Sequence, residues 1–568
     1  MRRNDGEMEA LNADAVARLL EEIGQRMELG GESPFKVRAY YAAAENLRAL
    51  DRPLAEIVSK GGLRDIPGIG EAIAEKVIKL HKTGTHPTLD HLREQFPAGV
   101  LQLLEIPGLG PKKVLTLYTE LQIASVDELE AACQEDKLSA VKGIGPSLQA
   151  KLIKAIEFRR KGQGKMLLDA AEIRMREAME TIRAECKDLS SFSVAGGLRR
   201  GCEIVDSIAV VAVGRNAGDK EEFRTVAGVP VIVTTSDRYG LTLVEQTGSV
   251  GHITALRARA EEMKLNWTAQ GLMKGKAVLP TCAEADVYEA LNLPFVVPEL
   301  RESGDEIALA ARDALPSLVD DSDIQGILHS HTDFSDGAET LEVMAREVQR
   351  RGYHYYGVSD HSQTAAYAGG LKEEKVRAQW ELASSLNQKL AKENFRIFKG
   401  IESDILDEGA LDYPDDVLKE FDFIVASVHS RFTLDKEAQT RRIIRAVENP
   451  HTTILGHVTG RLLLHRTGYE VDVEAILKAC AKHGVVVEIN ANPYRLDLDW
   501  RWHRIALDLG VMLSINPDAH SIADLNFTRL GVMQARKGGV GKDKILNCRT
   551  LNELSQYFEQ RRKRALKS

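Results

Sequence analysis

The sequence predicts a multidomain protein of mixed α+β and α/β class, helical in its N-terminal third and closing with an α/β barrel. Three observations lead to that class. The patterns IPGIG, IPGLG and VKGIG recur within the first 145 residues, each followed by a helical stretch. In the C-terminal half, short apolar runs end in His, Asp or Glu and alternate with helical patterns. A chain of 568 residues also exceeds what one hydrophobic core organises, so several domains are expected.

The three repeats come first in the chain. They place Gly68 and Gly70, Gly108 and Gly110, and Gly143 and Gly145 before EAIAEKVIKLHK, PKKVLTLYTEL and PSLQAKLIKAIEFRR. A hairpin ending in Gly-x-Gly before a helix exposes backbone N–H groups where the helix dipole also favours an anion. Glycine permits the close approach and the positive φ that such a turn needs. These are helix-hairpin-helix motifs, which hold DNA phosphates without reading sequence. The predicted partner is therefore DNA, bound without sequence preference.

The apolar runs GILHSH, YYGVSDHS, IFKGIESD, FIVASVHS, TTILGHV and VMLSINPDAH look like ends of buried parallel strands. Functional residues of α/β barrels collect at that end. Nine candidate ligands follow: His329, His331, Asp336, His361, Glu402, His429, His457, Asp518 and His520. Imidazole and carboxylate without thiolate suit Mn, Zn or Fe. Nine groups exceed the needs of one ion and fit two or three, with bridging carboxylates.

HSHTDFSDG, SDHS, GIESDI, SVHS, GHVTGRLL, EINANPYRLDLDW and PDAHS resemble the polymerase and histidinol phosphatase (PHP) domain. More narrowly, the whole chain resembles bacterial family X DNA polymerases that carry this domain at their C-terminus. The resemblance implies a distorted barrel and a Mn-favouring 3′–5′ exonuclease, with abasic-site cleavage and 3′-phosphate removal as further activities. It makes all nine candidates the catalytic metal ligands, and Arg461 and Arg495 candidates for gripping a DNA phosphate. Residues 34–41 resemble the family's small N-terminal domain, which makes Lys76 the lyase candidate with Tyr40 in support.

The middle of the chain resembles the family's nucleotidyltransferase palm and thumb. AGGLRRGCE matches its Gly-Ser-x-Arg-Arg-Gly-x-Glu motif, and Gly197 takes the place of the serine. The family's three palm carboxylates fall on Ser207, Ala209 and Ile232. Ala and Ile cannot hold Mg²⁺, so no Mg site is expected in the palm and templated synthesis is expected to be lost. The readings set against this one are an active family X polymerase with PHP proofreading, a non-catalytic DNA scaffold, and a small-molecule phosphoesterase.

The expected organisation is a helical lyase-like domain at 1–84, a helical domain with two hairpins at 85–162, palm and thumb at 166–300, a linker at 301–322 and the PHP barrel at 323–568. Net charge is −9, with 24 Lys+Arg against 24 Asp+Glu in residues 1–165, so DNA binding is expected to be local. The six cysteines show no metal-binding spacing and read as reduced thiols. No apolar leader or membrane span is recognisable, so a monomeric cytoplasmic protein of the bacterial cytosol is expected.

Overall fold

The computed structural model describes residues 10–48, 50, 52–66, 68–106, 108–141, 143–215 and 221–567. The N-terminal reading of residues 1–9 and Pro67, Pro107 and Lys142 of the repeats fall outside them. The chain divides into two compact units, 1–163 and 164–568.

The first unit is helical and has two cores. Val16, Leu20, Ile23, Leu47, Val77 and Leu89 belong to the first, and Val100, Leu103, Leu117, Leu129 and Ile156 to the second. Leu89 and Leu92 of helix Pro87–Gln95 join the first core, so that body runs past the expected boundary at 84. The three hairpins share one geometry. Gly68, Gly108 and Gly143 adopt φ of 73°, 95° and 91°, and Ile69, Leu109 and Ile144 each donate a backbone N–H to the carbonyl three residues back.

In the second unit a sheet of four strands has the order Leu189–Ala195, Ala209–Gly214, Val229–Thr234, Glu222–Val226. Ala209–Gly214 runs parallel to Val229–Thr234, and the two outer pairs are antiparallel. A small three-stranded sheet and the helices Tyr239–Thr247, Val250–Glu262 and Glu284–Ala290 follow. The expected linker is largely packed. Arg301 is fully buried, Ile307 and Ala310 join the preceding core, and Val319 joins the barrel core. Apolar residues at these positions bury themselves on whichever neighbour they reach, so no free tether separates the two bodies.

The strands of the C-terminal body pair in parallel: Gly326–Ile327, Tyr355–Val358 and Arg396–Lys399 form one sheet, and Glu402–Asp404, Val425–Ser427, Ile454–Leu455, Val486–Asn490 and Leu513–Asn516 another. Two bridges close them into a barrel. Ser330 pairs with Ala519, and His361 with Glu402, both parallel. Every residue of these strands is buried except Arg396 and Lys399, which is why they read as near-continuous apolar runs.

The palm sheet and the barrel share a core. Leu463, Leu496 and Leu530 of the barrel pack with Leu168, Leu198, Val205 and Val210 of the palm. Gly201 lies so close to Met533 that a side chain there would collide with it. Leu530→Ala empties part of this shared core and is expected to cost about 2–5 kcal/mol. Scanning calorimetry should then show the transition of unit 164–568 shifted down and that of unit 1–163 unchanged.

Candidate metal centre

The strand ends converge as the pattern predicts. His329 and His331 follow Gly326–Ile327, His361 follows Tyr355–Val358, and Glu402 opens the next strand. His429 and His457 each lie two residues beyond a strand, and Asp518 and His520 follow Leu513–Asn516. Parallel strands present this end to one mouth, so residues nearly two hundred positions apart become neighbours. Asp518 holds φ at 52°, a conformation L residues avoid unless their surroundings impose it.

Glu402 is the hub. Its Oε1 lies 3.4 Å from His329 Nε2, 3.3 Å from His429 Nε2 and 3.0 Å from His457 Nε2. Its Oε2 lies 3.7 Å from His331 Nε2 and 3.0 Å from His361 Nδ1. Asp518 Oδ1 sits 3.1 Å from His331 Nε2 and 3.6 Å from His329 Nε2. Asp336 lies 3.5 Å from His520 Nε2 and 3.6 Å from His361 Nε2. Three overlapping sets have ligand atoms all within 4.8 Å of one another: His331, Asp336, His361 and His520; His329, His331 and Asp518; His361, Glu402 and His429. His331 and His361 are shared between sets. His329 Nε2, His331 Nδ1, His361 Nδ1 and Glu402 Oε2 are buried without hydrogen-bond partners. Buried polar atoms left open among other donors are what a group of divalent ions would satisfy, so this donor set fits metal ions.

Carboxylates outside the predicted set orient the imidazoles. Glu488, fully buried within Val486–Asn490, accepts from His329 Nδ1 at 2.6 Å and from the His457 backbone N–H at 2.8 Å. Asp404 lies 2.7 Å from His429 Nδ1. Each contact turns Nε2 toward the centre, the arrangement in which metal-binding histidines are fixed. Asp360 accepts from the Thr332 N–H and hydroxyl and from Gln379, and so fixes the loop after His331. Sequence reasoning missed Glu488 and Asp404 as site residues. Their only signal is a carboxylate inside or beside an apolar strand, in VVEIN and ESDI.

Charge in the centre is divided unevenly. Burial, with His520 and His361 as neighbours, holds His331 down to about 3. Burial also opposes charge on His429 and His520, but Glu402 and Asp404 lift the first to about 10, and Asp336 and Asp518 lift the second to about 9.

The two arginines part company. Arg495 Nε lies 3.5 Å from Asp518 Oδ2, at the edge of the centre. Arg461 turns to acceptors near its own loop. Its Nη1 donates to Asp499 at 2.5 Å, its Nε to the Arg495 carbonyl at 2.8 Å and its Nη2 to the Leu496 carbonyl. A guanidinium with those three commitments braces its own loop. Sequence alone does not show which of two loop arginines finds a buried carboxylate. Also unforeseen is Tyr367, 71% exposed, whose ring centroid lies 6.0 Å from that of His361 and 6.4 Å from that of His429.

In the palm, Ala209 and Ile232 share a small apolar cluster with Ala195, Val211, Leu243 and Tyr239. Ser207 is exposed, and Asp206 pairs with Lys165 at 3.1 Å. The motif's Arg199 is held bidentately by Glu284 at 2.8 and 2.6 Å, and Arg200 by Glu302 at 2.8 Å. In the helical unit, Gly70, Gly110 and Gly145 cap their helices without a side-chain partner, and nothing lies within 4 Å of where a side chain would begin. Backbone N–H groups there stand open to an approaching phosphate. Lys76 Nζ donates to the Ala72 carbonyl at 3.1 Å, and Tyr40 lies in the first helical core. No helix among the described residues is long and apolar enough to cross a membrane.

A divalent ion takes imidazole only in its neutral form. His429 and His520 carry raised pKa values and are protonated at neutral pH in the metal-free chain. Adding Mn²⁺ is therefore expected to release protons near pH 7, and apparent affinity should rise with pH through the neutral range. Calorimetry in buffers of different ionisation enthalpy reads that release, and a titration without it contradicts the arrangement.

Comparison with known proteins bears on each part. Residues 12–86 match the helix-hairpin-helix domain model and 100–157 the SAM-like helix-hairpin-helix tandem. Residues 242–302 match the DNA polymerase beta thumb and 328–492 the PHP domain. The DNA polymerase/3′-5′ exonuclease PolX of Bacillus subtilis (strain 168) is 33% identical over 571 residues, covering 96% of this chain and 99% of that protein. A probable phosphatase of Thermoanaerobacter sp. (strain X514) is 28% identical over 249 residues, 42% of this chain and 95% of that protein. Another, of Vibrio campbellii, is 27% identical over 232 residues, 38% of this chain and 86% of that protein. With hairpin domains, polymerase thumb and PHP barrel all in place, the chain belongs to the bacterial PolX family.

Proposed function

We propose that this PolX chain is a DNA end-processing enzyme: a metal-dependent 3′–5′ exonuclease whose chemistry lies in the barrel. Templated synthesis is lost from its palm. The observation that carries the reading is the convergence of His329, His331, Asp336, His361, Glu402, His429, His457, Asp518 and His520 on one barrel mouth, in a chain with three open glycine hairpins. All nine are proposed as ligands of two or three ions, with Mn favoured and Zn or Fe as alternatives. Such ions supply a Lewis acid and an activated water for attack at phosphorus.

The chain's own residues do the rest. Glu488 and Asp404 hold the His329 and His429 rings with Nε2 inward. Arg495 is placed to bind a non-bridging phosphate oxygen beside Asp518. The exposed ring of Tyr367 offers a stacking face for the terminal base. Gly68, Gly70, Gly108, Gly110, Gly143 and Gly145 line the hairpins that hold the phosphates of gapped, abasic or 3′-end DNA. Likeness to the probable phosphatases favours 3′-phosphate removal as a second reaction of the same centre. Abasic-site cleavage at the barrel, with Lys76 as the lyase candidate of the helical unit, completes the proposed repertoire.

Loss of synthesis rests on the apolar cluster around Ala209 and Ile232. Two Mg²⁺ ions cannot be held against a triphosphate by Ala, Val, Ile and Leu.

His329→Ala and Asp518→Ala are expected to reduce Mn²⁺-dependent shortening of a recessed 3′ end to background, with DNA affinity nearly unchanged. Full activity in both variants would place the chemistry elsewhere. Tyr367→Ala should weaken hydrolysis of a DNA end by about 1–3 kcal/mol, the worth of one base stack, and leave a small phosphate monoester unaffected. Equal losses on both substrates would remove the stacking role.

A further inference from the structure

Glu203 closes the palm's motif and is 9% exposed. A carboxylate so nearly buried needs a partner, and Glu203 finds its partners in the barrel. Arg501 Nη1 donates to Oε1 at 2.7 Å and Trp500 Nε1 to Oε2 at 3.3 Å. The same Arg501 nitrogen reaches Asp499 at 2.9 Å. Asp499 in turn accepts from Arg461, whose other nitrogens hold the carbonyls of Arg495 and Leu496. The relay ends at Arg495, 3.5 Å from Asp518.

An apolar layer runs beneath it. Leu463 and Leu496 are buried, and Leu464 packs against them, in the core that Leu198, Val205 and Val210 of the palm build. Leu464 and Leu496 hold φ at 62° and 40°. Branched L side chains stay there only when packing over-determines the backbone. The palm supplies that packing.

We propose that the palm is a positioning element for hydrolysis in the barrel. Glu203 acts as the positioning residue that, through Arg501, Asp499 and Arg461, sets Arg495 against the substrate phosphate. The inference rests on the proposed nuclease reading and extends it, because it gives the palm a function that does not depend on the metal-holding positions Ser207, Ala209 and Ile232. Without Glu203, Arg501 has only Asp499 to pair with. It then competes with Arg461 for that carboxylate, and the carbonyls of Arg495 and Leu496 lose their brace.

The test uses the full-length chain with Mn²⁺ and a 5′-labelled DNA 3′ end. Glu203→Ala, Arg501→Ala and the charge swap Glu203→Arg with Arg501→Glu are compared for KM and kcat separately, alongside bound metal and melting temperature. Arg501 is 57% exposed, so its replacement should not unfold the chain. Each single variant is expected to raise KM roughly two- to thirtyfold at unchanged metal content, and the swap to recover much of the loss. Unchanged KM in both single variants overturns the inference. So does a kcat that falls in step with the folded, metal-loaded fraction at constant KM. His329→Ala runs beside them as a control. A parent chain without His329-dependent hydrolysis overturns the nuclease reading itself, and the positioning role with it.

Discussion

One buried carboxylate organises the C-terminal half of this chain. Glu402 is 1% exposed and has five imidazoles within 3.7 Å. Burial alone would neutralise it, but the surrounding histidines hold its pKa well below the ordinary carboxylate value. Such a cluster is tolerable only if every ring is fixed, because a misplaced imidazole would leave a buried charge unpaired. Glu488, Asp404 and Asp360 meet that requirement from behind. The barrel meets it from below, since most of the candidate ligands start at or just beyond the end of a buried strand.

The rest of the molecule is arranged around that centre. The palm keeps its sheet, its Arg-Arg-Gly-x-Glu turn and its thumb, while Ala209 and Ile232 lie in an apolar cluster and Ser207 is exposed. Arg199 and Arg200 are paired within the palm and thumb, and Glu203 reaches across to the barrel. A domain's packing and its chemistry depend on different residues. Sheet faces and shared leucines carry the fold, and a few carboxylates carry the reaction.

Much of this was legible in the sequence, for definite reasons. Most of the nine candidate ligands stand out because a polar residue at the end of an apolar strand breaks the pattern that surrounds it. The hairpins stand out because only glycine repeats at that spacing. Glu488 and Asp404 did not stand out, since each is one carboxylate within a strand and its partner lies far off in sequence. The brace that Arg461 forms was not legible, because a brace and a phosphate grip look alike in a loop. Tyr367 escaped because exposure is not written in a lone tyrosine. Residues 301–322 read as a linker from proline and acidic content, yet Ile307, Ala310 and Val319 carry enough apolar surface to pack.

The most direct measurement follows a 5′-labelled primer in a one-nucleotide gap with Mn²⁺, with and without dNTPs, for the parent chain and His329→Ala. Shortening that ignores dNTPs and stops in His329→Ala is the predicted result. Extension of the primer by His329→Ala when dNTPs are present would contradict it, and would make the palm, despite Ser207, Ala209 and Ile232, a working polymerase.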